Sequence, residues 1–511
     1  MPQKYSIIGS TLQLTVAVFV IKILGLVKKS LIAAVCGATA ETDAFFIASE
    51  VIVALCTVFF SSISISLLSM HTNRLLKNGR ESSNNLINAV LRVFIPIAGI
   101  IAVVFVCFSN EISKILAPSY EDAQLQDLAE YIKIMAIMFV FSCYYLIINV
   151  VLETDKRFLP GKGQALLQNL FVIIATVLFY PSLGVSVLLW AFVLAGFLQC
   201  LQITWNAKNS FQFQFKISTE RESIIKLICL AGPLLVGNAI YEINDIVDKQ
   251  ISSGLGYGSV SVLSYGASVN EIVTSLIVTS LSTVLFSHYA TWIAEGNVKR
   301  VGNNLKRSLE YLLVIIMPIM VMCFTAGDTI VGVLYGRGNF DVEAITRTNS
   351  VVIGYAAGFF FQAARANIVK VYYAFQDTKA PMINGAISVC VNVALSIILS
   401  KFMGVAGISL ATSIAMLLVT ILLLPGVRKY IPSFSLDSCF IDGLKVLIAT
   451  GIVGITAFFI RRTLSTSIYI SFLIMGSYIV VAYGFLIYLL RVTYVRKAID
   501  KLRITRGRNA Q

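Results

Sequence analysis

Polar surface is what this chain has least of. Of 511 residues only 13% are charged and 57% are hydrophobic, where a soluble domain carries about 25% charged residues. A water-soluble enzyme or nucleic-acid protein is thereby excluded, although the net charge is +14. Histidine is nearly absent: His71 and His288 are the only two, and both fall at the ends of apolar runs, where an interfacial position is expected rather than a ligand. The nine cysteines are scattered singly with no C-x-x-C pair, so neither a zinc site nor a disulfide framework is indicated. No D-x-D motif and no long polar loop is present, which argues against a membrane glycosyltransferase or ligase. No small-residue cleavage site follows a short apolar stretch, so the first apolar run reads as a retained helix.

What the chain does have is apolar runs of bilayer length, about 20 residues each. They predict an all-α polytopic membrane protein of fourteen transmembrane helices, near 8–36, 43–69, 88–109, 130–152, 163–181, 183–205, 224–251, 262–288, 308–326, 346–375, 382–400, 404–425, 441–460 and 467–490. Lysine and arginine collect in alternate loops (Arg74, Lys77, Arg80; Lys156, Arg157, Lys162; Lys208, Lys216, Arg221; Lys299, Arg300, Lys306, Arg307) and in the tail from Arg491 to Arg508. The other loops carry Glu111, Glu121, Asp122 and Asp127, or Asp328, Asp341 and Glu343. The positive-inside rule then puts both termini in the cytoplasm, as an even number of spans requires.

The chain also matches itself at an offset of about 220 residues. Gly37, Ala48 and Ser49 fall on Gly256, Ala267 and Ser268; ILAPSY (115–120) meets VLYGRGNF (333–340); LETDKRFLPG (152–161) meets FQDTKAPM (375–382). An offset of six helices preserves orientation, so two parallel, pseudo-symmetric six-helix lobes around a central cavity are expected. They would be 1–206 and 223–427, joined by a cytoplasmic linker at 207–222 and followed by two further helices at 428–490 and a basic tail at 491–511.

Charges inside such runs mark candidate sites, because a lysine near a helix centre costs roughly 2.5–3.5 kcal/mol unless it faces a partner or a wet cavity. The first run holds Lys22, Lys28 and Lys29, with Lys22 too deep to reach either end. Asp43 and Glu50 share a face of the second, though Asp43 also suits a helix N-terminus. In the seventh, Asn238, Glu242, Asp245 and Lys249 form one stripe. Asp248, beside that stripe, occupies the repeat position of Lys29, and Tyr241 that of Lys22. An Asp245–Lys249 pair at i, i+4 is the structural alternative for the stripe. Arg365 stands in the otherwise apolar stretch 351–369 and needs a partner, for which anionic cargo is one option.

The segments GLVKKSLIAAVCGATAETDAFF, GPLLVGNAIYEINDIVDKQISSGLGYGSVSVLSYG, LYGRGNFD and YYAFQDTKAPM together resemble the MurJ (MviN) type lipid II flippases, within the superfamily that also holds multidrug and polysaccharide exporters. The resemblance implies a non-enzymatic carrier that moves a polyprenyl-diphosphate-linked oligosaccharide from the inner to the outer leaflet of the bacterial plasma membrane by alternating access. It implies a transport role for Lys22, Lys28 and Asp43; the charges read from the residues add Lys29, Glu50 and Arg365 to the expected substrate site. Asn238, Glu242, Asp245 and Asp248 are expected to take a coupling cation, alongside the membrane potential, with no cofactor or metal. Partners would be membrane lipids and cell-wall synthesis enzymes, not nucleic acid, and the chain would be a monomer. Where the family often has arginines the chain has Cys56 and Ser268, which keeps another lipid-linked polysaccharide open as cargo. A cation-coupled multidrug exporter is the other alternative, against which the lysine-rich first run argues.

Overall fold

A computed structural model describes residues 7–214, 220–275, 285, 288–289, 291–435 and 437–492. Lys216 of the linker, part of the expected eighth span and the tail beyond 492 lie outside them. Among the described residues every regular element is helical. The first half comprises α1 (Ile7–Cys36), α2 (Ala40–Cys107), α3 (Ser109–Leu116), α4 (Asp122–Ala136), α5 (Met138–Thr154), α6 (Gly163–Leu178), α7 (Tyr180–Leu183), α8 (Ser186–Ala207), α9 (Arg221–Ser253) and α10 (Ser259–Val273). Then follow α11 (Val298–Tyr335), α12 (Val342–Ala356), α13 (Phe359–Ala374), α14 (Lys379–Met403), α15 (Val405–Tyr430), α16 (Asp437–Thr463) and α17 (Ile468–Leu489). Ten helical stretches among the described residues are long and apolar enough to cross a membrane. One of them, α2, turns at Gly79, whose φ of 78° breaks the helix between the expected second and third spans.

Helices suit this environment because hydrocarbon offers no partner for a backbone amide or carbonyl. Hydroxyls inside the spans meet the same demand by donating to the carbonyl one turn back: Ser49 to Phe45, Ser62 to Val58, Thr450 to Val446.

The chain forms two compact units, residues 1–261 with 338–340, and residues 262–337 with 341–511. Within the first of these, α9 packs along α2. In the first unit Phe45, Ile47 and Ile52 of α2 and Ile148 and Val151 of α5 are buried. His71 is fully buried there too, its Nδ1 2.9 Å from the Thr154 hydroxyl, so it is a core residue and not the interfacial one its position suggested. In the second unit Val446, Ala449 and Val453 of α16 pack with Met475 and Ile479 of α17 against Met317 and Val321 of α11.

The repeat is written in the backbone. Left-handed residues recur in pairs 217 to 220 positions apart: Gly37 with Gly256, Gly79 with Gly296, Lys156 with Gln376, Gly184 with Gly404. Helix interruptions pair likewise, Phe108 with Ala326 and Ile137 with Ala357. After α5 the Arg157 amide reaches back to the Leu152 carbonyl (2.8 Å), and after α13 the Asp377 amide to Tyr372 (3.0 Å), the same helix-ending motif. That motif sets Leu152 opposite Tyr372, an offset of 220 residues.

Candidate functional site: a carboxylate between two lysines

The site is built on α1, a helix with no acidic residue in its first turn and three lysines in its second half. Lys22 lies fourteen residues, or about 21 Å, before the C-terminal end of α1, and Lys29 about 10 Å before it, at ~1.5 Å per residue. The α1 backbone runs close to α6: the Asn169 amide donates to the Ile21 carbonyl at 3.1 Å, and Gly25 faces the same asparagine. Lys22 is exposed, while Lys28 and Lys29 are half-buried.

Lys29 donates to Glu50 Oε1 of α2 at 3.2 Å, and Lys249 of α9 approaches Glu50 Oε2 at 3.2 Å. Three helices therefore meet at one carboxylate, and within this triad two ammonium groups face a single negative charge. Aromatic faces flank it: the Lys29 ammonium is 5.5 Å from the Phe46 ring centre and Lys28 is 5.2 Å from that of Phe192. Lys249, taken from the sequence as a neighbour of Asp245, thus reaches Glu50 on another helix. Phe46 and Phe192 gave no signal, being two among many apolar aromatics.

Asp43 is placed differently. It is 1% exposed, and its Oδ1 accepts from the Ser261 amide (2.7 Å) and hydroxyl (2.5 Å) in the first turn of α10. The carboxylate thus serves a helix N-terminus, though that of α10 and not of its own α2. Around it the backbone packs without side chains between. Asn339 donates from its amide to Ala34 (2.8 Å) and from its side chain to Val35 (2.6 Å), capping the C-terminal carbonyls of α1. Gly258 and Gly338 have φ of 75° and 57°, and a Cβ at either would collide with the carbonyl of Ala38 or Ala34.

On α9, Asn238 donates to the Ser62 hydroxyl (3.1 Å) and Asn244 to Asp248 (3.2 Å), which is buried; Glu242 is half-buried and Asp245 exposed. Among the described residues no three acidic, histidine or cysteine side chains gather closely enough to hold a metal ion. Arg365 belongs to the second unit, where its Nε donates to Asn384 Oδ1 at 3.0 Å, and Asn384 in turn donates to the Val419 carbonyl. Cys56 and Ser268 are both buried, the latter donating to the Ser264 carbonyl.

Outside the spans, Arg74 holds Glu220 through two bonds of 2.8 and 2.6 Å, which keeps that carboxyl below the usual range.

Residues 32–484 match the family described as lipid II flippase MurJ. A probable lipid II flippase MurJ of Buchnera aphidicola subsp. Baizongia pistaciae is 25% identical over 80% of this chain and 81% of its own length. That of Thermotoga maritima is 24% identical over 87% and 91%. In fold, the chain is similar to a solved lipid II flippase MurJ in an inward closed conformation, with TM-score 0.82 at 23% identity, covering 96% of this chain and all of the other. An inward-facing multidrug transporter of the MOP superfamily follows at TM-score 0.71 and 12% identity, over 83% and 98%. The chain is therefore a multi-pass membrane protein that belongs to the lipid II flippase MurJ family, a family of transporters and not of enzymes.

Proposed function

We propose that this chain carries lipid II, a polyprenyl-diphosphate-linked glycan, from the inner to the outer leaflet by alternating access, with the diphosphate received by Lys22, Lys28 and Lys29 of α1. The observation that carries this reading is the sharing of Glu50 by Lys29 and Lys249. One carboxylate fixes two ammonium groups at neighbouring positions, and a diphosphate is the compact anion that complements them. Lysine binds phosphate as a point charge and releases it without covalent change. Lys22, deeper along α1, would meet the head group first and Lys28 and Lys29 later. Asp43 and Glu50 would act by holding the elements around the anion. A monovalent cation on Asn238, Glu242, Asp245 and Asp248 would reset the empty carrier. The chain would work as a monomer in the bacterial plasma membrane, both termini cytoplasmic, delivering its cargo to cell-wall synthesis enzymes.

The test is flipping of fluorescent lipid II in proteoliposomes. Lys22→Glu should lower the rate at least about tenfold while the melting temperature holds, since Lys22 is exposed. Unchanged flipping would remove Lys22 from the phosphate path.

A further inference from the structure

The second unit holds a cavity of about 250 Å³ between α11, α13 and α15. Its walls are hydrocarbon: Leu313 from α11, Phe360 and Phe361 from α13, Ile421 and Leu424 from α15. One lining residue is charged, Glu310 of α11. Glu310 is 8% exposed, and its Oε2 is buried without a hydrogen-bond partner. Among the described residues no lysine or arginine lines the cavity. Lys306 and Arg307 precede Glu310 on α11, and Arg365 on α13 is bonded to Asn384 of α14. The other polar lining group, the Thr420 hydroxyl, already donates to the Met416 and Phe361 carbonyls. Ile421 is 53% exposed, so this wall reaches the lipid-facing surface of α15.

A carboxylate stripped of water keeps its charge only when a cation or donors replace the solvent. Among the described residues neither is supplied at Glu310 Oε2, whereas the rings of Phe360 and Phe361 offer faces that favour a cation. The volume is just under the range of roughly 300–1,000 Å³ usual for drug-sized ligands, which suits a single alkyl chain with a compact head. We propose that this cavity binds a lipophilic primary ammonium, an alkylamine dissolved in the bilayer, with its head on Glu310 and its chain along the phenylalanine wall. An anionic head group is refused by the same carboxylate, so the site is distinct from the diphosphate path and does not depend on it.

The experiment is saturation binding of radiolabelled octylammonium to the full chain in phosphatidylcholine nanodiscs, with empty discs subtracted and 1-octanol as the uncharged competitor. One octylammonium per chain is expected, preferred over 1-octanol at least about tenfold. Glu310→Gln should bring the two within about twofold at an unchanged melting temperature, and Leu313→Trp should remove the binding of both. Absence of saturable binding, equal affinity in the unaltered chain, or a preference that survives Glu310→Gln would overturn the proposal. Displacement by phosphatidylethanolamine at membrane levels would overturn the choice of a free alkylamine.

Discussion

Glu50 shows how much one side chain can organise. Its two oxygens hold lysines from two different helices, so removing its charge leaves both ammonium groups facing each other across a neutral amide. Glu50→Gln should therefore destabilise the protein, by about 1–3 kcal/mol at a half-buried triad. The melting temperature should recover in part when Lys29→Gln is added, because the second change removes one of the repelling charges. Additive losses in the double variant would show that the pair is not coupled. The place of Lys22, Lys28 and Lys29 in the second half of one long apolar helix was legible because a charge in a twenty-residue apolar run is rare. The partner of each was not, since Lys249 lies 199 residues from Glu50 in the chain and its nearer acidic neighbour, Asp245, satisfies the same local rule. Asp43 was legible only as a carboxylate suited to a helix N-terminus; that the helix would be α10 depends on packing that no local pattern encodes.

At the level of elements, the recurring left-handed positions explain why the repeat survives sequence drift. A turn that needs positive φ restricts what can stand there, while the lipid-facing residues between turns are free to exchange one aliphatic for another. Residue types alone leave the register of the third repeat match loose for the complementary reason: Lys156 and Gln376 share φ near 60° but no chemistry. Gly258→Ala tests a left-handed position where backbone approaches closely. The added methyl meets the Ala38 carbonyl in a conformation that already disfavours a side chain, and a loss of about 2–4 kcal/mol is expected in chemical denaturation. A different junction contributes to acid stability. Glu220, held by Arg74, has a folded pKa below its ordinary 4.5, so its contribution is complete above that pH and fades as pH falls through the lower, folded value. Arg74→Gln should flatten the decline in melting temperature below pH 4.5, and an unaltered pH profile would show that the clasp carries no stability.

For the whole molecule, composition settled the class, and apolar runs settled most of the element order, because bilayer thickness imposes one length on every span. The packing of α9, which begins the second repeat in sequence, on α2 through Asn238 and Lys249 was not legible. Transport energetics belong at this scale. A diphosphate moving outward from a negative interior gains about 2.3 kcal/mol per charge per 100 mV, but lysines that travel through the field with it cancel part of that gain. Were the ammonium groups of α1 fixed relative to the field, each cargo charge would accelerate outward flipping by up to about fiftyfold per 100 mV; were they to move with the cargo, the dependence would be far shallower. In proteoliposomes clamped by a potassium gradient, outward flipping should rise severalfold between 0 and 100 mV, inside negative, and rise more steeply in Lys29→Gln, where less positive charge accompanies the head group. Flipping indifferent to voltage in both proteins would mean that the cargo crosses as a neutralised complex, and the lysines of α1 would then be carriers of its charge instead of a stationary landing site.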